Sequence, residues 1–133
     1  MNFFAILALL APAASAVTVS LTFDGMYATA DQPLSTFSCP GLFGAERVNQ
    51  LAAWPNVTAT AFIERNLSPN CGTCWQVTYQ GRSINLLAID HAPQGFTASP
   101  FTVNWLTSGT GITNGRVDVD VTQIDPSECH APQ

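Results

Sequence analysis

The segment Cys71-Gly72-Thr73-Cys74-Trp75 runs directly into an alternating stretch, Gln76-Val77-Thr78-Tyr79, then a turn at Gln80-Gly81 and an apolar run from Ile84 to Ile89. That continuation limits what the two cysteines can do. A redox-active pair needs its first cysteine at the mouth of a helix, where backbone amides and the helix dipole stabilise a thiolate. Here the pair leads into a strand, and the tryptophan follows the motif instead of preceding it. Bridges to other cysteines are therefore expected. Four cysteines permit three connectivities. Joining Cys71 to Cys74 would close a very small, strained ring. Cys39–Cys71 and Cys74–Cys129 instead close loops long enough for each to contribute roughly 3 to 4 kcal/mol by restricting the unfolded chain. Those two bridges are the expected pairing. Zinc held by the cysteines and His130 is the competing use, but a single Cys-x-x-Cys lacks a second pair at finger spacing, so neither metal nor cofactor is expected.

Residues Met1 to Leu10 form an apolar run, and Ala14-Ser15-Ala16 offers a small-x-small cleavage site before Val17. This is the pattern of a secretory signal peptide over residues 1–16, although its first residues carry no Lys or Arg. The run is too short to span a bilayer, and no later segment is apolar for long enough. Residues 17–133 then make one small domain, expected to be extracellular or cell-wall associated, where disulfides persist. The chain has four arginines, no lysine and nine acidic residues, for a formal net charge of −5. Such a surface repels phosphate backbones and disfavours nucleic acid as a partner. It also leaves little charge to oppose self-association or adsorption at interfaces.

Along the mature chain, Val17 to Phe23 alternates with period two and reads as a strand that ends at Asp24-Gly25. Asp31 to Cys39 has loop composition, and Leu42, Phe43, Val48, Leu51 and Ala52 fall near helical spacing, so a short helix is expected within Gly41–Trp54. Pro55 stops it. Asn56 to Asn70 reads as a strand followed by a loop. Trp75–Tyr79 and Ser83–Ile89 make a hairpin about Gln80-Gly81, with the second strand too continuously apolar to be exposed. Ser99-Pro100 is a helix N-cap and first residue, and Gly109 and Gly111 end that segment. In the last strand Val117, Val119 and Val121 alternate with Asp118, Asp120 and Thr122, placing valines inward and carboxylates outward. Short strands, two brief helices and many turns in a disulfide-bonded chain define an all-β fold with short helices, a closed or nearly closed barrel.

Three motifs in order between an early and a late cysteine carry a resemblance. Cys71-Gly-Thr-Cys-Trp75, Ser83-Ile-Asn-Leu-Leu-Ala-Ile-Asp-His-Ala92 and Gly115-Arg-Val-Asp-Val-Asp-Val-Thr-Gln123 are similar to those of the cerato-platanin family, over nearly all of Val17–Cys129. The resemblance implies a six-stranded double-psi β-barrel, like the first domain of expansins, with the disulfides paired as above. It also implies a fungal secreted protein that binds cell-wall polysaccharide, notably N-acetylglucosamine oligomers, loosens cellulosic material without hydrolysis, and elicits plant defence through a plant receptor. The chain departs from the family at its opening, reading Phe23-Asp24-Gly25-Met26-Tyr27-Ala28 where a Tyr-Asp-x-x-Tyr-Asp pattern is usual, and it lacks Gly-Trp-Asn before Cys71.

Asp90 follows the most apolar strand and is the first candidate to accept hydrogen bonds from sugar hydroxyls; it matches the aspartate that the resemblance implicates in loosening. His91 beside it is a secondary contact or a histidine satisfied in its loop. Asp24 and Tyr27 keep part of the opening motif and are expected to line the same groove, or to serve as turn residue and core aromatic. Phe96 is either a stacking platform for a sugar ring or a core plug. Trp75 and Trp105 read as core residues. An enzymatic alternative uses Asp90 as acid with Asp24, Asp118 or Asp120 as base, which inverting hydrolysis requires at roughly 6.5 to 9.5 Å. A third alternative is a self-assembling coat. Asn56-Val57-Thr58 and Asn66-Leu67-Ser68 are glycosylation sequons on expected exposed loops, the second followed by Pro69.

Overall fold

The computed structural model describes residues 15–132. The expected signal segment therefore lies outside the described residues except for Ser15 and Ala16. Six strands are formed: β1 (Val17–Phe23), β2 (Val57–Thr60), β3 (Cys74–Tyr79), β4 (Arg82–His91), β5 (Phe96–Ala98) and β6 (Val117–Ile124). They close into a barrel in the order β1-β5-β2-β4-β3-β6. β1 runs parallel to β5 and β2 parallel to β4, while the other neighbours are antiparallel. This is the six-stranded barrel that the resemblance implies.

The continuous apolar run in β4 has a simple cause. Leu86 and Ala88 pack in the barrel interior with Leu21, Val77, Val119 and Val121. Leu87 and Ile89 pack on the opposite face, beneath the long β1–β2 connection, with Tyr27, Leu34, Phe37, Val48 and Leu51. A strand covered on both faces cannot alternate. β6 is covered on one face only, and there the valines are buried and Asp118 and Asp120 exposed, as expected.

Gln80 and Gly81 both take positive φ and join Tyr79 to Arg82 in a two-residue hairpin. Helix α1 (Pro100–Thr107) begins as read, with the Ser99 hydroxyl accepting from the Thr102 N–H at 3.1 Å; α2 (Thr110–Asn114) follows it. The helix expected within Gly41–Trp54 does not form. Gly41, Phe43 and Gly44 all take positive φ, which interrupts a right-handed helix, and the segment makes two separate 3-10 turns, Leu42–Gly44 and Val48–Gln50. Strand β5 was not legible, since three residues are too few to show a period.

Both expected disulfides are present, Cys39–Cys71 and Cys74–Cys129, spanning 32 and 55 positions. No described cysteine is free, so no thiolate remains for redox exchange or for zinc. No helix among the described residues is long and apolar enough to cross a membrane.

Gly95 turns the chain into β5 at φ +54, and a Cβ there would collide with the Ser20 carbonyl and hydroxyl of β1. The obstacle is backbone in the barrel wall, which cannot swing aside. Gly95→Ala is therefore expected to destabilise the fold by about 2 kcal/mol or more. Urea unfolding checks this, with Gly81→Ala as a comparison at a positive-φ glycine whose Cβ would meet open space.

Candidate functional site

Asp90 does not follow β4 but lies within it, and a break in register aims its side chain. Thr58 of β2 faces Ala88, yet Ala59 faces Asp90, so β4 carries one extra residue at Ile89. Without that bulge the period of two would put Asp90 on the interior face shared by Leu86 and Ala88. With it, Asp90 faces the side of the long connection, beside Tyr27 and Ser38.

Three donors converge on the half-buried carboxylate. The Tyr27 hydroxyl donates to Oδ2 at 2.7 Å. Ser38 donates to Oδ1 twice, from its backbone N–H at 2.8 Å and its hydroxyl at 3.0 Å. A carboxylate has about four acceptor positions, so one remains for an incoming donor. The Ser38 hydroxyl also accepts from the His91 N–H at 3.3 Å, which ties the loop to the end of β4. The Cys39–Cys71 bridge anchors the residue next to Ser38.

Asp24 is exposed, and its carboxylate accepts the Met26 N–H at 2.9 Å while its own N–H donates to Ala98 O at 3.0 Å. It thereby holds the turn Gly25–Ala28 that delivers Tyr27. Tyr27 itself is buried and stacks on Phe37 with ring centroids 5.5 Å apart. Burial raises the Tyr27 pKa far above its ordinary 10.0, and the hydrogen bond and charge of Asp90, with the charge of Asp24, push it the same way. The phenol is thus a fixed donor. The ring of His91 is exposed, with Nδ1 2.6 Å from Ile63 O. A carbonyl only accepts, so Nδ1 carries a proton.

The Tyr27 hydroxyl, Asp90 and His91 are therefore gathered at the C-terminal end of β2 and β4, whereas Asp24 bonds to Ala98, which faces Thr58 toward the start of β2, and serves to hold the turn. Phe96 is not among them. It is fully buried, edge-on to Trp75 and Phe62 in the barrel interior, and no ring face is free to stack on a sugar. It is the core plug of the two readings. Trp75 is also buried, as expected, but Trp105 is 51% exposed on α1, a correction to its reading as core. Ser38 was not found by sequence reasoning; its one signal was adjacency to a bridged cysteine.

Strand register removes two of the three proposed catalytic bases. Asp120 pairs with Thr78, which pairs in turn with Ser83 of β4. Ser83 to Asp90 is roughly 20 Å along the strand, and Asp118 lies farther in the same direction. Asp120 accepts a hydrogen bond from the Thr18 hydroxyl at 2.7 Å, and Asp118 lies 3.9 Å from Arg116, both at the surface. No group of three or more His, Cys, Asp or Glu side chains able to hold a metal occurs among the described residues.

A small closed barrel with an anchored carboxylate at one end defines the class, and comparison with known proteins supplies the family. The sequence profile described as cerato-platanin matches residues 18–131, and the chain belongs to the cerato-platanin family. Cerato-platanin of Ceratocystis fimbriata f. sp. platani is 36% identical over 123 residues, covering 87% of this chain and 90% of that one. A heat-stable 19 kDa antigen of Coccidioides posadasii is 32% identical over 120 residues, covering 86% and 82%. Among solved structures, cerato-platanin 3 of M. perniciosa superposes with a TM-score of 0.78 at 31% identity, over 86% of this chain and 99% of that one. The solution structure of the fungal elicitor Cerato-Platanin gives a TM-score of 0.75 at 34% identity, over 84% and 96%.

Tyr27→Phe deletes a donor to a half-buried carboxylate and should cost about 1 to 2 kcal/mol at neutral pH. The contribution from the raised Tyr27 pKa is complete below pH 10, where the phenol is neutral in both states. It is lost as pH rises, because the unfolded chain then ionises and the folded one does not. The stability gap between wild type and Tyr27→Phe should therefore narrow above about pH 10, as measured by urea midpoints on either side.

Proposed function

We propose that this is a secreted, non-catalytic carbohydrate-binding protein, extracellular or cell-wall associated, that binds N-acetylglucosamine oligomers of chitin, loosens cell-wall polysaccharide and elicits plant defence. The observation that carries the reading is Asp90. Tyr27 and Ser38 hold its carboxylate so that one acceptor position is left over at a barrel end. A preorganised acceptor takes a neutral sugar hydroxyl without first being ordered, which favours binding. A polar site on one small domain must displace water and order a flexible ligand, so dissociation constants in roughly the micromolar to millimolar range follow.

The non-catalytic part rests on carboxylate supply. Asp118 and Asp120 are out of reach by register, and Asp24 is engaged in capping the turn that carries Tyr27. Hydrolysis of the inverting type needs a free partner carboxylate with space for water between the two. The similarity to a fungal elicitor, Cerato-Platanin, supports the defence-eliciting role, for which a plant receptor is the partner.

Titration with the N-acetylglucosamine hexamer, followed by backbone amide shifts, tests this reading. Saturable shifts at Ser38 and His91 are expected, weakened about tenfold by Asp90→Ala, a loss typical of one hydrogen bond to a charged acceptor. Incubation with chitin or cellulose oligomers should release no new reducing ends. Sustained release abolished by Asp90→Asn would establish an enzyme instead, and no saturable shift anywhere would favour the coat.

A further inference from the structure

The opposite end of β2 and β4 carries a second concave surface that the Asp90 site does not use. Its first part is an open hollow of about 450 Å³ lined by Pro55, Asn56, Ile84, Phe101, Thr102 and Trp105. Phe101 and Trp105 are among the most exposed large apolar residues described, at 77% and 51%. They stand four residues apart on α1, so one helical turn sets both on the same face, about 6 Å apart along the axis. Two adjacent exposed aromatics beside an open hollow make this face a candidate contact surface.

Trp105 is held in place. The Arg82 guanidinium lies over its ring at 5.0 Å and donates from Nη1 to Trp105 O at 2.6 Å. The guanidinium stacks on one face of the indole, and its hydrogen bond holds the backbone of the same residue, which leaves the opposite ring face as the one a ligand would use.

Asn56 also lines a second, smaller hollow of about 200 Å³ on the other face of β4, with Asn85, Glu128 and His130. The character of the lining changes there from apolar to polar. The side-chain amides of Asn56 and Asn85 are half-buried and make no hydrogen bond among the described residues. An apolar partner laid across them would strip their water and return nothing. An anionic partner is disfavoured by a net charge of −5 and by Glu128 in the smaller hollow. A neutral sugar chain meets both demands, with its C–H face on an aromatic ring and its hydroxyls on amides.

We propose that the two hollows that share Asn56, one beside Trp105 and one beside Asn85, form a second binding site for a neutral oligosaccharide. Ile84 lies six positions before Asp90 on β4, roughly 20 Å along the strand, so the two sites occupy opposite ends of the barrel. One molecule then presents sugar-binding surfaces at both ends. The Asn56 sequon falls inside this site, half-buried and not on an exposed loop as expected, whereas Asn66 is exposed. Glycosylation at Asn56 would occupy the site.

The test uses the unglycosylated protein, labelled for NMR and titrated separately with the N-acetylglucosamine hexamer and the glucose hexamer of cellulose. Saturable shifts at the Trp105 indole N–H and at the Asn85 side-chain amide are expected with at least one of them. Trp105→Ala should weaken that binding about tenfold or more, and Asn85→Ala, which leaves the helix untouched, should weaken it as well. Asp90→Ala should weaken the response at Ser38 about tenfold and leave the response at Asn85 unchanged. Shifts confined to the Ser38 end, or binding indifferent to both Trp105→Ala and Asn85→Ala, would overturn this inference and leave the Asp90 site standing. Sugar-independent, concentration-dependent dimerisation abolished by Trp105→Ala, with no shift at Asn85, would overturn it in favour of a second copy of this chain.

Discussion

Double-sided burial of β4 is the constraint on which the rest depends. One face of the strand completes the barrel interior with Leu86 and Ala88, and the other supports Tyr27, Phe37 and Leu51 through Leu87 and Ile89. The long β1–β2 connection has little regular structure of its own, only 3-10 turns. Its order comes from the apolar surface that β4 offers it and from the Cys39–Cys71 bridge. A bridge closing a loop of this span contributes about 4 kcal/mol by loop-closure entropy, a large share of what a small domain has in hand.

The bulge at Ile89 converts that packing into a site. A regular strand would have pointed Asp90 into an apolar barrel, where an unpaired carboxylate is very costly. The extra residue turns it to the side where Tyr27 and Ser38 wait as donors. The elements that supply those donors are held from different directions: Tyr27 by the Asp24 cap and by stacking on Phe37, Ser38 by its neighbour's disulfide. Loosening either support should therefore weaken the hold on Asp90. The barrel thus has a carboxylate end that depends on its covering loop and an aromatic end that depends on α1 and Arg82.

The Streptomyces papain inhibitor shares the fold at a TM-score of 0.54 with 17% identity, which separates architecture from chemistry. A barrel of this kind does not dictate a ligand. What distinguishes this chain is which side chains its two ends present.

Local chemistry made much of the fold legible in the chain alone: the hairpin about Gln80-Gly81, the capped start of α1, the alternation of β6 and the two-sided burial of β4 all follow from residue types at short range. The disulfide pairing follows from ring size and resemblance, and the residue types of Asp24, Tyr27, Asp90 and His91 mark them as candidates in the chain alone. The tertiary structure alone decided the register shift at Ile89, because a bulge depends on how β2 lies against β4, residues far apart in the chain. It also decided the part played by Ser38, the burial of Phe96 and the exposure of Trp105. An aromatic ring looks the same in sequence whether a strand turns it inward or a helix turns it out, and only the packing of neighbouring elements distinguishes the two.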